Sequence, residues 1–189
     1  ALEDARSSSQ WLLDQGIAPC DLALAGDSAG AGLALSLLLA LRDAGHPLPA
    51  AAALMSPWTD LTASGPSYET HAALDPISRR AAVLAMARDY LGAAGDARAP
   101  LASPLFADLR GLPPSLIQVG DREILLSDAT MFSEKARAVG VETVLEVWEG
   151  MIHVFQQFPA ELSAARQAIA GLGNFRQARF ERRSVAADP

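Results

Sequence analysis

Cysteine is nearly absent from this sequence, since Cys20 is the only one in 189 residues. A single thiol excludes an intrachain disulfide, and no second cysteine stands beside it at the spacing of zinc ligands. A chain without a disulfide framework fits a reducing compartment, so we expect a cytoplasmic protein.

Histidines, basic clusters and long apolar runs are scarce as well. The three histidines, His46, His71 and His153, have no carboxylates or cysteines at metal-ligand spacing, so we expect neither a metal nor a cofactor. A net charge of −7 argues against a nucleic-acid partner, which requires clustered Lys and Arg. Arg42 and Asp43 close the longest apolar run before it reaches the length of a membrane span, so we expect no membrane insertion.

What the sequence does contain is an alternation of helical and strand-like segments. Apolar periodicity predicts helices over residues 5–15, 29–42, 77–91 and 125–139. Short apolar or β-branched runs predict strands over residues 21–25, 50–55, 115–119 and 142–148. This alternation predicts one α/β domain with a doubly wound, mostly parallel sheet, helices on both faces, and sites at the carboxyl ends of the strands.

The most informative stretch is the run from Gly26 to Gly30, Gly-Asp-Ser-Ala-Gly, between a strand-like and a helix-like segment. The pattern G-x-S-x-G is typical of a sharp turn, in which side chains at the two glycine positions would collide with the neighbouring strand and helix. Because that turn exposes its serine hydroxyl, Ser28 is the candidate nucleophile. A phosphate-binding loop also uses glycine at such a junction, but neither G-x-G-x-x-G nor Gly-Lys-Ser/Thr is present.

A serine nucleophile needs a base and an acid that orients the base. Of the histidines, only His153 follows directly after a predicted strand, which makes it the candidate base. Asp121 and Glu123 both follow the strand at 115–119, and the residues alone do not separate them. Asp128 lies about one turn into the next helix, where a charge that favours the helix dipole is the simpler interpretation.

Four motifs in order make the chain resemble the hormone-sensitive-lipase-like branch of the α/β-hydrolases, from residue 1 to about residue 170. The motifs are Gly26 to Gly30, Ser-Pro-Trp-Thr-Asp at 56–60, Gly-Asp-Arg-Glu-Ile-Leu at 120–125 and Gly-Met-Ile-His-Val-Phe at 150–155. The resemblance assigns the acid to Glu123, with Asp121 as a neighbour, although most family members carry Asp at that position. It implies an α/β-hydrolase fold and a serine hydrolase that cleaves short-chain carboxylic esters through an acyl-enzyme intermediate, with Ser28, Glu123 and His153 as catalytic residues.

The resemblance also implies residues that contact the substrate. The backbone N–H of Ala29 would donate into the oxyanion hole. Trp58, Ile152 and Phe155 are apolar residues near strand ends and are expected to line the acyl pocket, with a place in the core as the alternative for each. Asp27 is expected beside the substrate, where it would support the turn by hydrogen bonding without reacting.

One family feature is missing, namely the His-Gly-Gly-Gly loop together with the early strands of the sheet. We therefore expect residues 1–189 to be the carboxyl-terminal two thirds of a single α/β-hydrolase domain with an incomplete sheet. The strand at 21–25 would then form an exposed apolar edge. The oxyanion hole would lose donors that are each worth ~10² to 10³ in turnover, so the piece alone is expected to fold poorly and to be nearly inactive.

Two alternatives stay open. The same three residues could hydrolyse an N-acyl amide, as deacetylases of the family do. The chain could also be a non-catalytic, ligand-binding homologue, although such receptors typically lack the histidine that His153 supplies. For the ester hydrolase we expect a small-molecule ester as the partner, and a homodimer that pairs through the last strand and the final helix.

Overall fold

The computed structural model describes the backbone of residues 1–186 and the side chains of residues 1–181. Residues 187–189 of the predicted domain lie outside this part. The helices are α1 (Leu2–Asp14), α2 (Ala29–Asp43), α3 (Ser67–Thr70), α4 (Arg80–Leu91), α5 (Leu126–Ala138) and α6 (Ser163–Ala186). The strands are β1 (Ala23–Asp27), β2 (Ala51–Met55), β3 (Ser115–Gly120) and β4 (Thr143–Trp148). Short 3₁₀ turns cover Pro19–Asp21, Pro104–Phe106 and Phe155–Gln157.

The four strands form one parallel sheet in the order β1-β2-β3-β4. Asp27 at the end of β1 is aligned with Met55 at the end of β2, and Gly120 at the end of β3 with Trp148 at the end of β4. Because parallel strands finish at the same edge, the segments that follow these four residues lie side by side. The predicted α/β sheet is confirmed, and within residues 1–186 both β1 and β4 pair on one side only.

Helices cover both faces of the sheet, as predicted. Ile117 and Val119 of β3 belong to a core that includes residues of α2 and α5, such as Phe132. Gln118 lies between them and so points to the opposite face, where its Nε2 donates a hydrogen bond to the carbonyl of Ala168 in α6 at 3.0 Å. β2 and β3 are covered on both faces, which explains why their sequences read as nearly continuous apolar runs.

The nucleophile-bearing junction leads into α2, the most deeply buried helix. Ten of its 15 residues are buried, so α2 has an apolar surface on nearly all sides and packs against β1, β2 and α1 at once. Alanine and leucine dominate its sequence, and both are strong helix formers. A well-packed α2 holds the turn at its amino terminus in a fixed position.

Helix boundaries differ from the predicted ones by a few residues. The helix predicted from residue 77 begins at Arg80, because the side chain of Asp75 accepts hydrogen bonds from the N–H groups of Ile77 and Ser78, both at 2.8 Å. These bonds hold the two residues in a turn that competes with helix formation. The helix predicted from residue 5 begins at Leu2.

The final helix, α6, is 24 residues long. Ala165 and Ala168 pack near its start against Phe155, and Arg179 further along donates a hydrogen bond to Glu142 at 2.8 Å. None of the helices in the described part combines the length and apolar character that a bilayer crossing requires.

Candidate active site

Ser28 lies on the tight turn between β1 and α2, with φ 51° and ψ −119°. A positive φ is uncommon for a residue with a side chain, and this turn is stabilised by the hydrogen bond from the Ser28 N–H to the Met55 carbonyl at 2.9 Å. A side chain at Gly26 would collide with the backbone of Gly30, so the first glycine is required by close approach. At Gly30 an added Cβ would meet no described atom within 4 Å, so the predicted collision is wrong for the second glycine.

His153 follows β4 on a loop that packs against the end of β3. Gly120 has no side chain, and the Met151 carbonyl occupies the space that a Cβ would need there. The Arg122 N–H donates to the same carbonyl at 3.0 Å. The Asp121 carboxylate accepts a hydrogen bond from the Gly150 N–H at 2.7 Å. These contacts join the loop that carries His153 to the loop that carries the acid.

Ser28, His153 and Glu123 form a continuous chain of hydrogen bonds. Nε2 of His153 lies 2.9 Å from Oγ of Ser28, and Nδ1 lies 2.7 Å from Oε2 of Glu123. An ionised carboxylate can only accept, so Nδ1 carries the proton and Nε2 is free to accept from the serine hydroxyl. The structure thus brings together three predicted site residues that span 125 positions of the chain.

Glu123 is fully buried, and its remaining oxygen is held as well. Oε1 accepts hydrogen bonds from the Gly120 N–H at 2.7 Å and from the Ser56 hydroxyl at 2.8 Å. A buried carboxylate needs such donors, because desolvation without them is costly. Asp121 is engaged with Gly150 instead, so the geometry separates the two acids that the residues alone left open.

Ala29 is the first residue of α2, and the N–H groups of Ala29 and Gly30 have no intrahelical acceptor. They carry the partial positive charge of the helix dipole next to the Ser28 hydroxyl. This is the arrangement that the predicted oxyanion contact of Ala29 requires. Within the described residues, no group of three or more His, Cys, Asp or Glu side chains could hold a metal ion.

The comparison that decides the family is a match of residues 1–157 to a family model described as "alpha/beta hydrolase fold". The chain belongs to the α/β-hydrolase family. An acetyl-hydrolase from Streptomyces hygroscopicus is 47% identical to this chain over 175 residues, which is 93% of this chain and 58% of the relative. An esterase from Acinetobacter venetianus is 42% identical over 166 residues, 88% of this chain and 55% of the relative.

Solved structures agree with this assignment. A crystal structure of an esterase from the bacterial hormone-sensitive lipase family superimposes with a TM-score of 0.92 at 47% identity, over 95% of this chain and 60% of that one. The resemblance inferred from the four motifs is confirmed. The chain therefore spans between about half and three fifths of the length of the relatives that it matches.

Asp128 holds the 56–60 loop in place, a role that the sequence did not reveal. Oδ2 of Asp128 accepts hydrogen bonds from the N–H groups of Thr59 and Asp60, both at 2.8 Å. Asp128 is almost completely buried, and this burial raises its pKa from 3.8 to about 7 even though the two hydrogen bonds lower it. Burial and the neighbouring Asp128 carboxyl also raise the pKa of Tyr68. Asp128 does lie in the first turn of α5, as expected, and its carboxyl also anchors the 56–60 loop.

A cavity of about 260 Å³ opens over Ser28, the predicted nucleophile. Ser28 and His153 line one side, and Trp58, Val83 and Met86 are among the residues that line the rest. A second, mostly apolar cavity of about 400 Å³ lies beside Ala29, and Trp58 and Met86 border it too. The structure therefore places Trp58 where the sequence predicts a substrate-contacting side chain.

Three other predicted substrate residues lie elsewhere. Phe155 has no exposed surface and packs against Trp148, with ring centroids 5.4 Å apart. The expectation that it lines the acyl pocket is wrong, because its ring completes the core under α6. Ile152 packs, partly buried, against the same cluster. Asp27 is exposed, and its carboxylate forms no hydrogen bond within the part of the chain that the structure describes, so the expected support of the turn is absent.

Proposed function

We propose that this chain carries the catalytic centre of a serine hydrolase that cleaves short-chain carboxylic esters. The observation that carries the proposal is the hydrogen-bonded series Ser28, His153 and Glu123, with distances of 2.9 and 2.7 Å, at the amino terminus of a buried helix. The names of the two relatives, acetyl-hydrolase and esterase, support the same chemistry.

Acylation follows from the geometry. His153 accepts the hydroxyl proton of Ser28 through Nε2 while the serine oxygen attacks the ester carbonyl. The imidazolium that forms is stabilised by Glu123, whose oxygen lies 2.7 Å from Nδ1. The negative oxygen of the tetrahedral intermediate would receive a hydrogen bond from the Ala29 N–H, at the positive end of the α2 dipole.

Collapse of that intermediate releases the alcohol, which takes its proton from His153. Water then attacks the acyl-enzyme with His153 as the base, and the returning proton frees the Ser28 hydroxyl with the carboxylic acid as the second product. Each proton taken by His153 is given back within the same half-reaction, so the cycle needs no co-reactant besides water.

The volume of the cavity beside Ser28 limits the size of the acyl group that can bind there. A cavity of about 260 Å³ lies at the small end of ligand pockets, so it suits acetyl to butyryl groups better than octanoyl. Trp58, Val83 and Met86 present apolar surface to the acyl chain. We expect activity to fall from p-nitrophenyl butyrate to p-nitrophenyl octanoate.

The proposal is tested by measuring hydrolysis of p-nitrophenyl acetate, butyrate and octanoate by the complete gene product that contains these residues. A fluorophosphonate probe should label the wild type and leave Ser28→Ala unlabelled. A folded wild type that neither turns over any of these esters nor reacts with the probe would show that the chain is a non-catalytic homologue.

An N-acetyl amide is the second candidate substrate, favoured by the acetyl-hydrolase that is 47% identical to this chain. The triad geometry serves an amide as well as an ester, because His153 can protonate an amine leaving group. Turnover of p-nitrophenyl acetate and of p-nitroacetanilide by the same preparation separates the two. A higher kcat/KM for the anilide would replace the ester proposal.

Three further expectations remain proposals. We infer that the chain forms the carboxyl-terminal part of one hydrolase domain, because it spans 55–60% of the length of the relatives that it matches. We also propose a homodimer through β4, since Val144 and Val147 of this edge strand are exposed, at 40% and 48%. Sedimentation of the complete gene product tests the dimer, and cell fractionation tests the cytoplasmic location.

A further inference from the structure

Ser56 lies immediately beyond β2, between the loop that carries the acid and the loop that carries the histidine. It is completely buried, and its φ of 45° places it in the left-handed region. Its N–H donates to the Gln118 carbonyl of β3 at 2.7 Å, which continues the sheet register by one residue. A buried serine at this point must use its hydroxyl, because an unpaired one would be destabilising.

The hydroxyl of Ser56 has two partners, one on each neighbouring loop. It donates to Oε1 of Glu123 at 2.8 Å and accepts from the Val154 N–H at 3.0 Å. Val154 follows His153 directly and itself has a φ of 49°. One side chain therefore contacts the catalytic acid and the strained backbone that carries the base.

The same segment also touches the nucleophile. The Trp58 N–H donates to the Ser28 carbonyl at 3.1 Å, and the Met55 carbonyl accepts from the Ser28 N–H at 2.9 Å. Residues 55–58 are thus hydrogen-bonded to each of the three loops that present Ser28, Glu123 and His153.

The loop does not depend on the Ser56 hydroxyl for its own position. Asp128 holds Thr59 and Asp60 through their N–H groups, and Asp60 in turn accepts hydrogen bonds from Thr62 and Ser64. Removal of the hydroxyl would therefore leave the backbone of the loop in place and free only the groups that the hydroxyl engages.

We propose that Ser56 is a positioning residue for the reaction, because its hydroxyl fixes both the carboxylate of Glu123 and the loop of His153. The inference rests on the proposed ester hydrolysis and extends it to a residue outside the triad. Without the hydroxyl, Oε1 of Glu123 keeps only the Gly120 N–H, and the Val154 N–H has no acceptor. The carboxylate can then rotate away from Nδ1 of His153.

The kinetic test uses Ser56→Ala and Ser56→Gly in the complete gene product with p-nitrophenyl acetate. Both remove the hydroxyl, but glycine also relieves the positive φ, so this variant stays folded. Because misplacement of a catalytic group costs up to about 100-fold, we expect kcat to fall about 10- to 100-fold in both, with KM little changed.

Ala63→Gly is the matched control, since Ala63 is a buried residue with a φ of 49° whose backbone is hydrogen-bonded to Asp60 and Arg80, neither of which belongs to the triad. It should keep the wild-type kcat. Urea unfolding of each variant gives the folded fraction under assay conditions. An unchanged kcat in either Ser56 variant, or losses that merely follow the unfolded fraction, would overturn the proposal.

A second readout does not need turnover. The proton on Nδ1 of His153, held by Glu123, should give a far-downfield proton NMR resonance. We expect this resonance to move or broaden in Ser56→Ala and to stay in place in Ala63→Gly. An unmoved resonance in Ser56→Ala contradicts the positioning role, whereas a moved resonance in an enzyme without esterase activity supports the role and rejects the proposed reaction.

Discussion

The backbone of Ser28 stores strain at the position where a nucleophile must be exposed. At a φ of 51° glycine would have a lower conformational energy than any residue with a Cβ. We predict that Ser28→Gly and Ser28→Ala both lower ester turnover by at least about 10⁴-fold, because both lack the attacking oxygen. Of the two, Ser28→Gly should have the higher free energy of unfolding, by about 1 kcal/mol, since only glycine relieves the strain.

Chemical denaturation of the two inactive variants measures this difference directly. Both have lost the hydrogen bond from the hydroxyl to His153, so the difference between their unfolding free energies measures the backbone strain at position 28. Equal unfolding free energies for the two variants would mean that the turn is relaxed in spite of its dihedral angles.

Glu123 and Asp121 are neighbouring carboxylates with different hydrogen-bond partners, His153 for Glu123 and the Gly150 N–H for Asp121. Glu123→Gln would present an amide to Nδ1 of His153 and disturb the tautomer, so we predict a loss of about 10³- to 10⁴-fold in kcat. Asp121→Asn keeps an oxygen for the Gly150 N–H and should retain most of the activity. Ester hydrolysis rates of the two variants, measured side by side, check the assignment, and the reverse ranking would move the acid to Asp121.

The sequence indicates the proposed reactive residues more readily than the residues that hold them in place. Ser28 is marked by its glycines, and His153 by a strand that ends just before it. Ser56 begins one of the four motifs, but no local signal reveals its role or that of Asp128, because their partners Glu123 and Thr59 lie 67 and 69 residues away along the chain. Their roles follow only from tertiary contacts.

Phe155 also shows that the sequence alone does not decide which residues a side chain contacts. An aromatic residue two positions after the base looks the same in sequence whether it lines a pocket or fills the core. Its location is decided by α6, which packs Ala165 and Ala168 against the ring. The predicted strands and helices, in contrast, appear within about three residues of their expected positions, because periodicity and helix formers are local properties.

At the scale of elements, the β3 end and the histidine loop approach one another closely at Gly120. Gly120→Ala would push its Cβ into the Met151 carbonyl, so we predict a loss of about 1–3 kcal/mol in unfolding free energy, together with a drop in turnover as His153 shifts. Gly30→Ala is the control, since an added Cβ there meets no described atom and alanine favours the helix. Thermal melts and ester assays on both variants check the contrast, which would fail if Gly30→Ala were the more damaging change.

The anchor between α5 and the 56–60 loop should respond to pH. Burial raises the pKa of Asp128 from 3.8 to about 7, so its contribution to folding is full below pH 4 and is lost as the pH rises through about 7. Asp128→Asn keeps an oxygen for the N–H groups of Thr59 and Asp60 but cannot ionise. We predict that, between pH 4 and 7, the unfolding free energy of the wild type falls relative to this variant by about 1 kcal/mol per pH unit.

Urea unfolding of both proteins across this range measures the difference. Burial raises the pKa of Asp60, but hydrogen bonds from Ser64 and Thr62 lower it overall. Because Asp60 is present in both proteins, the effect of its titration on the unfolding free energy largely cancels in the difference. A difference that does not change with pH would show that Asp128 ionises as easily in the fold as in the unfolded chain.

For the whole molecule, the open side of β1 is the dominant structural feature. Ala25, in the middle of this strand, is exposed, and the described residues pair β1 with β2 alone. An unpaired strand edge invites association between chains. We predict that the 189-residue chain on its own self-associates and hydrolyses p-nitrophenyl acetate at least about 100-fold more slowly than the complete gene product, which would have additional oxyanion donors.

Light scattering and ester assays on the two preparations test this prediction. The Ser28→Ala form of each is the background control. A monodisperse 189-residue chain with the specific activity of the complete gene product would contradict it.

The sequence separation of 125 positions between Ser28 and His153 also governs when the site can exist during folding. Contacts that close so long a stretch of chain form late, because the entropy of loop closure must be overcome before they are made. A partly refolded chain with β1 and β2 already paired would have an exposed serine but no base beside it. Recovery of catalysis after dilution from denaturant should therefore lag behind recovery of helical circular dichroism. The rate at which enzyme activity returns would then measure the last step of folding.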